Sequence, residues 1–305
     1  MSVHVRKLAR VTRRAPSVRC RRRDRPAALR ALLEGVDRAA LVDDDPVALV
    51  HRYRDPHDQE VAGLLVAALA YGRVRSIKDA AERALARLGP RPAQSLERGG
   101  PAALEGFVYR FQRGEDLPRF LGAIGALRAR HGSLAAAFAS STDPDEPDLA
   151  GAAARFVGAL RAEMRAFDPG RPLSNGLRYL VPDPGSGGAA KRLWLYLRWM
   201  IRRADGLDPG TWARLRPDLR PAGLLVPLDT HLARIARYLE LTRRRADDLI
   251  TAREITTALA AVDPDDPVRF DMALCHLGIS GACPPALDLA RCGPCVLSPT
   301  CGRRR

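Results

Sequence analysis

The sequence is nearly without lysine: of 50 basic side chains in 305 residues, only Lys7, Lys78 and Lys191 are lysines. Arginine carries charge and binds phosphate as well or better, but its guanidinium is not deprotonated in proteins and forms no Schiff base. Side-chain amine chemistry is therefore confined to three positions. Aromatic residues are scarce as well, at 5%, whereas alanine, leucine and arginine abound, which favours helices throughout. Long apolar runs are missing: the segment Gln59–Tyr71 is apolar but short, Glu60 opens it, and nothing reads as a bilayer span. Acids are almost absent from the first thirty residues, where eleven Lys or Arg face Asp24 alone. That end supplies ten of the formal +15, Arg303, Arg304 and Arg305 supply three more, and the body between them is close to neutral. The high pI thus reports the ends of the chain and gives no basic face. Residues 1–25 read as a basic, disordered tail.

What is present is a succession of punctuated helices. Asp58 reads as the cap of an apolar helix ending at Tyr71-Gly72, and Ser76 with Asp79 as a capping-box-like start for one that stops at Gly89-Pro90. Asp116 opens a helix ending near His131-Gly132, Ser133 a short one, and a helix is expected from about Ala150 to Phe167. The stretch Asp168–Gly188 is rich in proline and glycine and reads as irregular. Its glycines Gly185, Gly187 and Gly188 feed a helix that starts at Lys191. Glycines there let a backbone approach phosphate closely, and the helix after them presents free N–H groups.

In the Lys191 helix, Leu193, Trp194, Leu197, Met200 and Ile201 form an apolar stripe, with Lys191, Arg198 and Arg202 along another side. Arg198, Arg202 and the helix N-terminus would all disfavour a protonated Lys191, and the arginines could contact phosphates; an ordinary solvated face accounts for the same stripe. Thirty-eight residues on, Pro227-Leu-Asp229-Thr-His231 precedes Leu232, Ile235, Ala236 and Leu239 at helical spacing, which makes Asp229 an N-cap. An N-cap aspartate usually has no other task. At the C-terminus, Cys283, Cys292, Cys295 and Cys301 are spaced C-x8-C-x2-C-x5-C. Four thiols within so short a span, on a chain lacking a secretory signal, suit a metal site better than disulfides; by spacing alone, zinc and an iron–sulfur cluster fit equally. Cys275 lies in an apolar helix and reads as a small buried hydrophobe.

These features resemble the helix-hairpin-helix DNA glycosylases, the superfamily of endonuclease III, MutY and the archaeal 8-oxoguanine glycosylases. The likeness lies in Pro-x-Asp229-Thr-His231-x-x-Arg234, in a lysine at the start of the upstream helix, and in the closing cysteines. Phrases such as Leu69-Ala-Tyr-Gly-Arg73, Phe107-Val-Tyr-Arg-Phe111 and Asp266-Pro-Val-Arg-Phe-Asp271 extend it, from about Asp44 to Cys301, to a little-characterised bacterial family of such relatives. Three features depart from endonuclease III: the first cysteine gap is longer, Lys191 sits further past the glycines, and the distance from Lys191 to Asp229 is longer.

The resemblance implies an all-α, two-lobed glycosylase fold with a C-terminal loop of four cysteines. One lobe would comprise 26–57 plus 226–305 and carry a 4Fe–4S cluster (zinc being the alternative); 58–225 would form the central lobe with the hairpin. It also implies base excision from double-stranded DNA carrying a damaged base, an oxidised one among the candidates, or an abasic site, with lyase activity. Lys191 and Asp229 would be catalytic. Tyr71, Arg73, Gly185, Gly187, Gly188, Arg198 and Arg202 would contact DNA, with Tyr71 or Arg73 filling the gap left by the flipped base. A monomer acting in the cytoplasm at the nucleoid is expected. A non-catalytic nucleic-acid-binding module of the same fold and a zinc-stabilised interaction domain are the alternatives.

Overall fold

The computed structural model describes residues 24–304, and within them the chain is built from helices, with no strand and two isolated β-bridges, Tyr109 to Gln112 and Gly188 to Asp248. In chain order the α-helices are α1 (Arg25–Glu34), α2 (Arg38–Asp44), α3 (Pro56–Leu69), α4 (Val74–Leu88), α5 (Pro92–Glu97), α6 (Asp116–His131), α7 (Leu134–Ala139) and α8 (Ala150–Phe167). There follow α9 (Asn175–Leu180), α10 (Lys191–Ile201), α11 (Thr211–Leu215), α12 (Thr230–Tyr238), α13 (Leu249–Ala260), α14 (Asp271–Ile279) and α15 (Leu289–Cys292). The tail expected over 1–25, and Cys20 with it, lies outside the described residues except at its end, where Arg25 already belongs to α1.

Local chemistry sets most boundaries. Ser133 caps α7 by accepting from Ala136 N, and Asp248 caps α13 through Thr251 N. Gly89 ends α4 at φ 80°, a conformation that costs a side-chain-bearing residue dearly. Two starts differ from expectation. The cap of α3 is Asp55, whose carboxylate accepts from His57 N and Asp58 N, while Asp58 sits in the first turn and accepts from Ala93 N. Pro56 explains the shift, because proline suits the first helical position and fixes Asp55 as the cap. Helix α4 starts at Val74, ahead of Ser76. The irregular stretch expected over 168–188 contains α9, capped by Ser174.

Helix α10 is the centre of the molecule. Arg192, Leu193, Trp194 and all of Tyr196 to Ile201 are buried, so the two-sided pattern read from its sequence is enclosed on both sides. It packs along α3, where Gly63 leaves room for Met200 and Tyr196. Beneath them Glu60 is fully buried and accepts from Ala135 N, Leu134 N and Trp212 Nε1, which offsets part of its desolvation, though burial still holds its carboxyl above the ordinary range. Helices α6 and α8 pack on each other, as do α12 and α14. One buried apolar cluster runs from Ala28 to Leu297 and takes in helices assigned to both expected lobes. The N-terminal segment packs both ways: Arg30 donates to Val262 O, and residues 46–49 lie against α3 and α4.

Candidate active site

The link from α9 to α10 is a hairpin tied down at three points. Asp183 accepts from Gly185 N, Gly187 takes a left-handed φ of 84°, and Gly187 O accepts from Leu249 N at the start of α13. Gly185, Gly187 and Gly188 are exposed. Ala190, immediately before α10, is also left-handed at φ 45°, which a Cβ makes costly by about 1 kcal/mol. That turn aims the first side chain of α10, Lys191, away from the buried helix and across to the start of α12.

There it meets Asp229. Lys191 Nζ donates to Asp229 Oδ2 at 3.2 Å, with the lysine side chain 40% exposed and the aspartate 13%. Asp229 is the cap of α12, its Oδ1 accepting from Leu232 N at 2.8 Å. A third donor was not expected: Cys275 Sγ, from α14, lies 3.1 Å from the same Oδ2. Burial works to raise the Asp229 pKa, but the Lys191 charge, the Leu232 N–H and the Cys275 thiol together outweigh it, and the carboxyl is held below its ordinary range. The two residues singled out for catalysis thus converge on one solvent-reachable place.

The basic stripe of α10 goes elsewhere. Arg198 and Arg202 are 1% and 4% exposed. Arg198 lies 2.9 Å from Asp208 and 3.0 Å from Asp271, while Arg202 pairs with Asp205, Asp208 and Asp266. Neither presents a guanidinium to DNA, and four carboxylates offset the charge that was expected to bear on Lys191. Even so, desolvation outweighs the arginines at Asp271 and pushes its carboxyl up to about 6.

Of the residues expected to fill a gap in DNA, Arg73 is exposed ahead of α4, but Tyr71 is half-buried. The Tyr71 hydroxyl donates to Gln112 Oε1, and Tyr109 OH donates to Tyr71 O at 2.8 Å. Tyr71 stacks on Phe111 at 5.9 Å between centroids and meets Tyr179 edge-on at 4.9 Å, with the Arg192 guanidinium 4.3 Å from the Tyr179 ring. The outward members are Phe111 and Tyr179, 58% and 41% exposed, beside the exposed Arg110. Of this group the sequence singles out Tyr71; the aromatic phrase at Phe107–Phe111 signals Tyr109 and Phe111, and nothing local signals Tyr179.

Cys283, Cys292, Cys295 and Cys301 line one pocket, floored by Ile235 and Leu239 on the back of α12. Burial, and then the nearness of Cys295, pushes the Cys283 thiol up to about 11. As the side chains stand, no group of three or more His, Cys, Asp or Glu among the described residues is arranged to hold a metal ion. The donor set, four thiols around one largely apolar space, nonetheless suits a thiophilic metal group. Arg234 joins this segment to α12 by donating to Cys283 O at 3.0 Å.

Among the described residues no helix is long and apolar enough to cross a membrane. No curated protein and no solved structure matches the chain. Residues 45–280 match the model of a family described as a protein of unknown function, DUF2400. The matched span holds Lys191, Asp229 and Cys275 and ends before Cys283. With more than three quarters of its length inside that match, the chain belongs to the DUF2400 family.

Proposed function

We propose that the chain is a DNA glycosylase that excises a damaged base and then cleaves the abasic strand through a lysine Schiff base. The observation that supports this reading is the meeting of Lys191 and Asp229, 3.2 Å apart at a half-open surface, on a chain that almost never uses lysine. A nucleotide flipped from duplex DNA enters beside them. Asp229, kept ionised, stabilises positive charge on the deoxyribose as the glycosidic bond breaks and the base leaves with the bonding electrons. The Lys191 amine, having released its proton to water at the open side of the site, forms the new bond to C1′ while Asp229 stays ionised. Ring opening yields the Schiff base, and loss of the C2′ proton expels the 3′ phosphate. The exposed turn at residues 185–188, where the glycines leave room for close backbone approach, and the arginines at 73 and 110 suit the flanking phosphates.

Cys283, Cys292, Cys295 and Cys301 would hold a 4Fe–4S cluster, with zinc as the alternative. When bound, such a group supplies a cross-link that anchors this segment behind α12. The chain would act as a monomer on DNA in the cytoplasm. The exposed Phe111, Tyr179 and Arg110 favour a second reading, a non-catalytic nucleic-acid-binding module, since that surface is complete without Lys191. Duplexes bearing a panel of damaged bases and an abasic site, incubated with borohydride, decide between them. A covalent protein–DNA adduct supports the glycosylase. No adduct and no excision on any duplex supports the binding module.

A further inference from the structure

Residue Cys275 reads in the sequence as a small hydrophobe of the core, and its surroundings say otherwise. Helix α14 crosses α12 so closely that a Cβ at Gly278 would lie 2.8 Å from His231 Cβ. One turn earlier this approach places Cys275 against the start of α12, and Asp271, four residues before it on the same helical face, reaches Arg198 of α10. Asp229 consequently has donors from three directions: Leu232 N at 2.8 Å on Oδ1, with Lys191 Nζ at 3.2 Å and Cys275 Sγ at 3.1 Å sharing Oδ2.

We infer that Cys275 is a positioning residue for Asp229, whose thiol donates a hydrogen bond that keeps Oδ2 in place and ionised when Lys191 leaves it. This rests on the proposed glycosylase reading for its purpose, though not for its chemistry. In that reaction Lys191 must give up its proton and move to C1′, so the lysine cannot hold the carboxylate through the bond change. The N-cap bond fixes only Oδ1. A donor that does not react has to remain on Oδ2, and Cys275 is the side chain placed there. The charged groups facing the thiol are Asp229 from α12, Lys191 from α10 and Asp271 from its own helix. Burial first, and then the Asp229 charge, drive the thiol pKa up, so it stays S–H and remains a donor at neutral pH. A thiol with these neighbours is also a poor nucleophile, so it serves by its hydrogen alone.

The test is a titration of the Asp229 carboxyl by carbon-13 NMR in the unliganded full chain, assigned with Asp229→Asn, for wild type, Cys275→Ser and Cys275→Ala. The serine hydroxyl can donate and alanine cannot. Expected are a midpoint that rises toward the ordinary carboxylate range in Cys275→Ala and stays near wild type in Cys275→Ser. An alanine midpoint equal to wild type overturns the inference, and so does a serine midpoint that moves with alanine. A packing role alone predicts the reverse order of tolerance, because a buried hydroxyl is costlier than a methyl. Should Cys275→Ala fail to fold, the infrared S–H stretch of Cys275 still decides. It should lie at the frequency of a hydrogen-bonded thiol in wild type and rise in Asp229→Ala; no rise overturns the inference. These readouts use no DNA, so they stand whether or not excision is found. Where excision is found, Cys275→Ala should lower kcat roughly tenfold, with DNA affinity unchanged.

Discussion

Lys191 Nζ and Asp229 Oδ2 face each other at 3.2 Å across 38 positions of sequence, each at the start of a helix. The two helix starts contribute differently. The first turn of α12 donates to the carboxylate, whereas the left-handed Ala190 turns the lysine out from an otherwise buried helix. An amine and an anion fixed in this way make a site whose parts can be altered singly.

Lys191→Arg keeps the charge opposite Asp229 and removes the accessible amine. Borohydride trapping on abasic duplex should be lost with DNA affinity near wild type. Adduct on the arginine variant would assign the reaction to Lys7, Lys78 or the N-terminus.

Asp229→Asn preserves a cap for α12, because the amide oxygen can still accept from Leu232 N. Excision should slow by on the order of 10²-fold or more, as for loss of a preorganised electrostatic group, with the native fold retained at neutral pH. Unchanged single-turnover excision would remove Asp229 from the chemistry.

The same carboxyl sets a pH dependence of stability. Its folded pKa is lowered, so its contribution is fully present above the unfolded value and is lost as pH falls through the folded one. Melting temperatures of wild type and Asp229→Asn should therefore differ by a constant amount above about pH 4 and converge below it. A gap that widens in acid would contradict the lowered value.

Arg198→Ala strands Asp271 in the interior and leaves Asp208 to Arg202 alone. Breaking a buried pair costs about 3–5 kcal/mol, so a large drop in denaturation midpoint is expected. The salt dependence of DNA binding by the folded fraction should not change; a shallower slope would return Arg198 to the DNA surface.

For the cysteines, protein purified without oxygen from iron-replete cells should be brown and carry about four irons per chain. Cys292→Ser should lose the metal and loosen the segment behind α12, and Cys275→Ser should keep it. Stoichiometric zinc with no iron would identify the other metal.

What the sequence determined by itself was whatever short-range chemistry controls. Ser133 and Asp229 cap their helices, α8 spans Ala150–Phe167, and Lys191 opens α10, because a cap or a break is settled by residues within a turn of it. The choice of Lys191 and Asp229 came from rarity and resemblance, but their contact needed the fold. Tertiary structure alone decided the fate of Arg198 and Arg202. A basic stripe has the same pattern whether it faces water or four carboxylates, and those carboxylates sit on segments reaching to Asp271. It also decided that Tyr71 supports Phe111 and Tyr179, and that Cys275 touches Asp229. An apolar helix tells which residues are buried; only the close crossing of α14 on α12 tells what a buried thiol meets there.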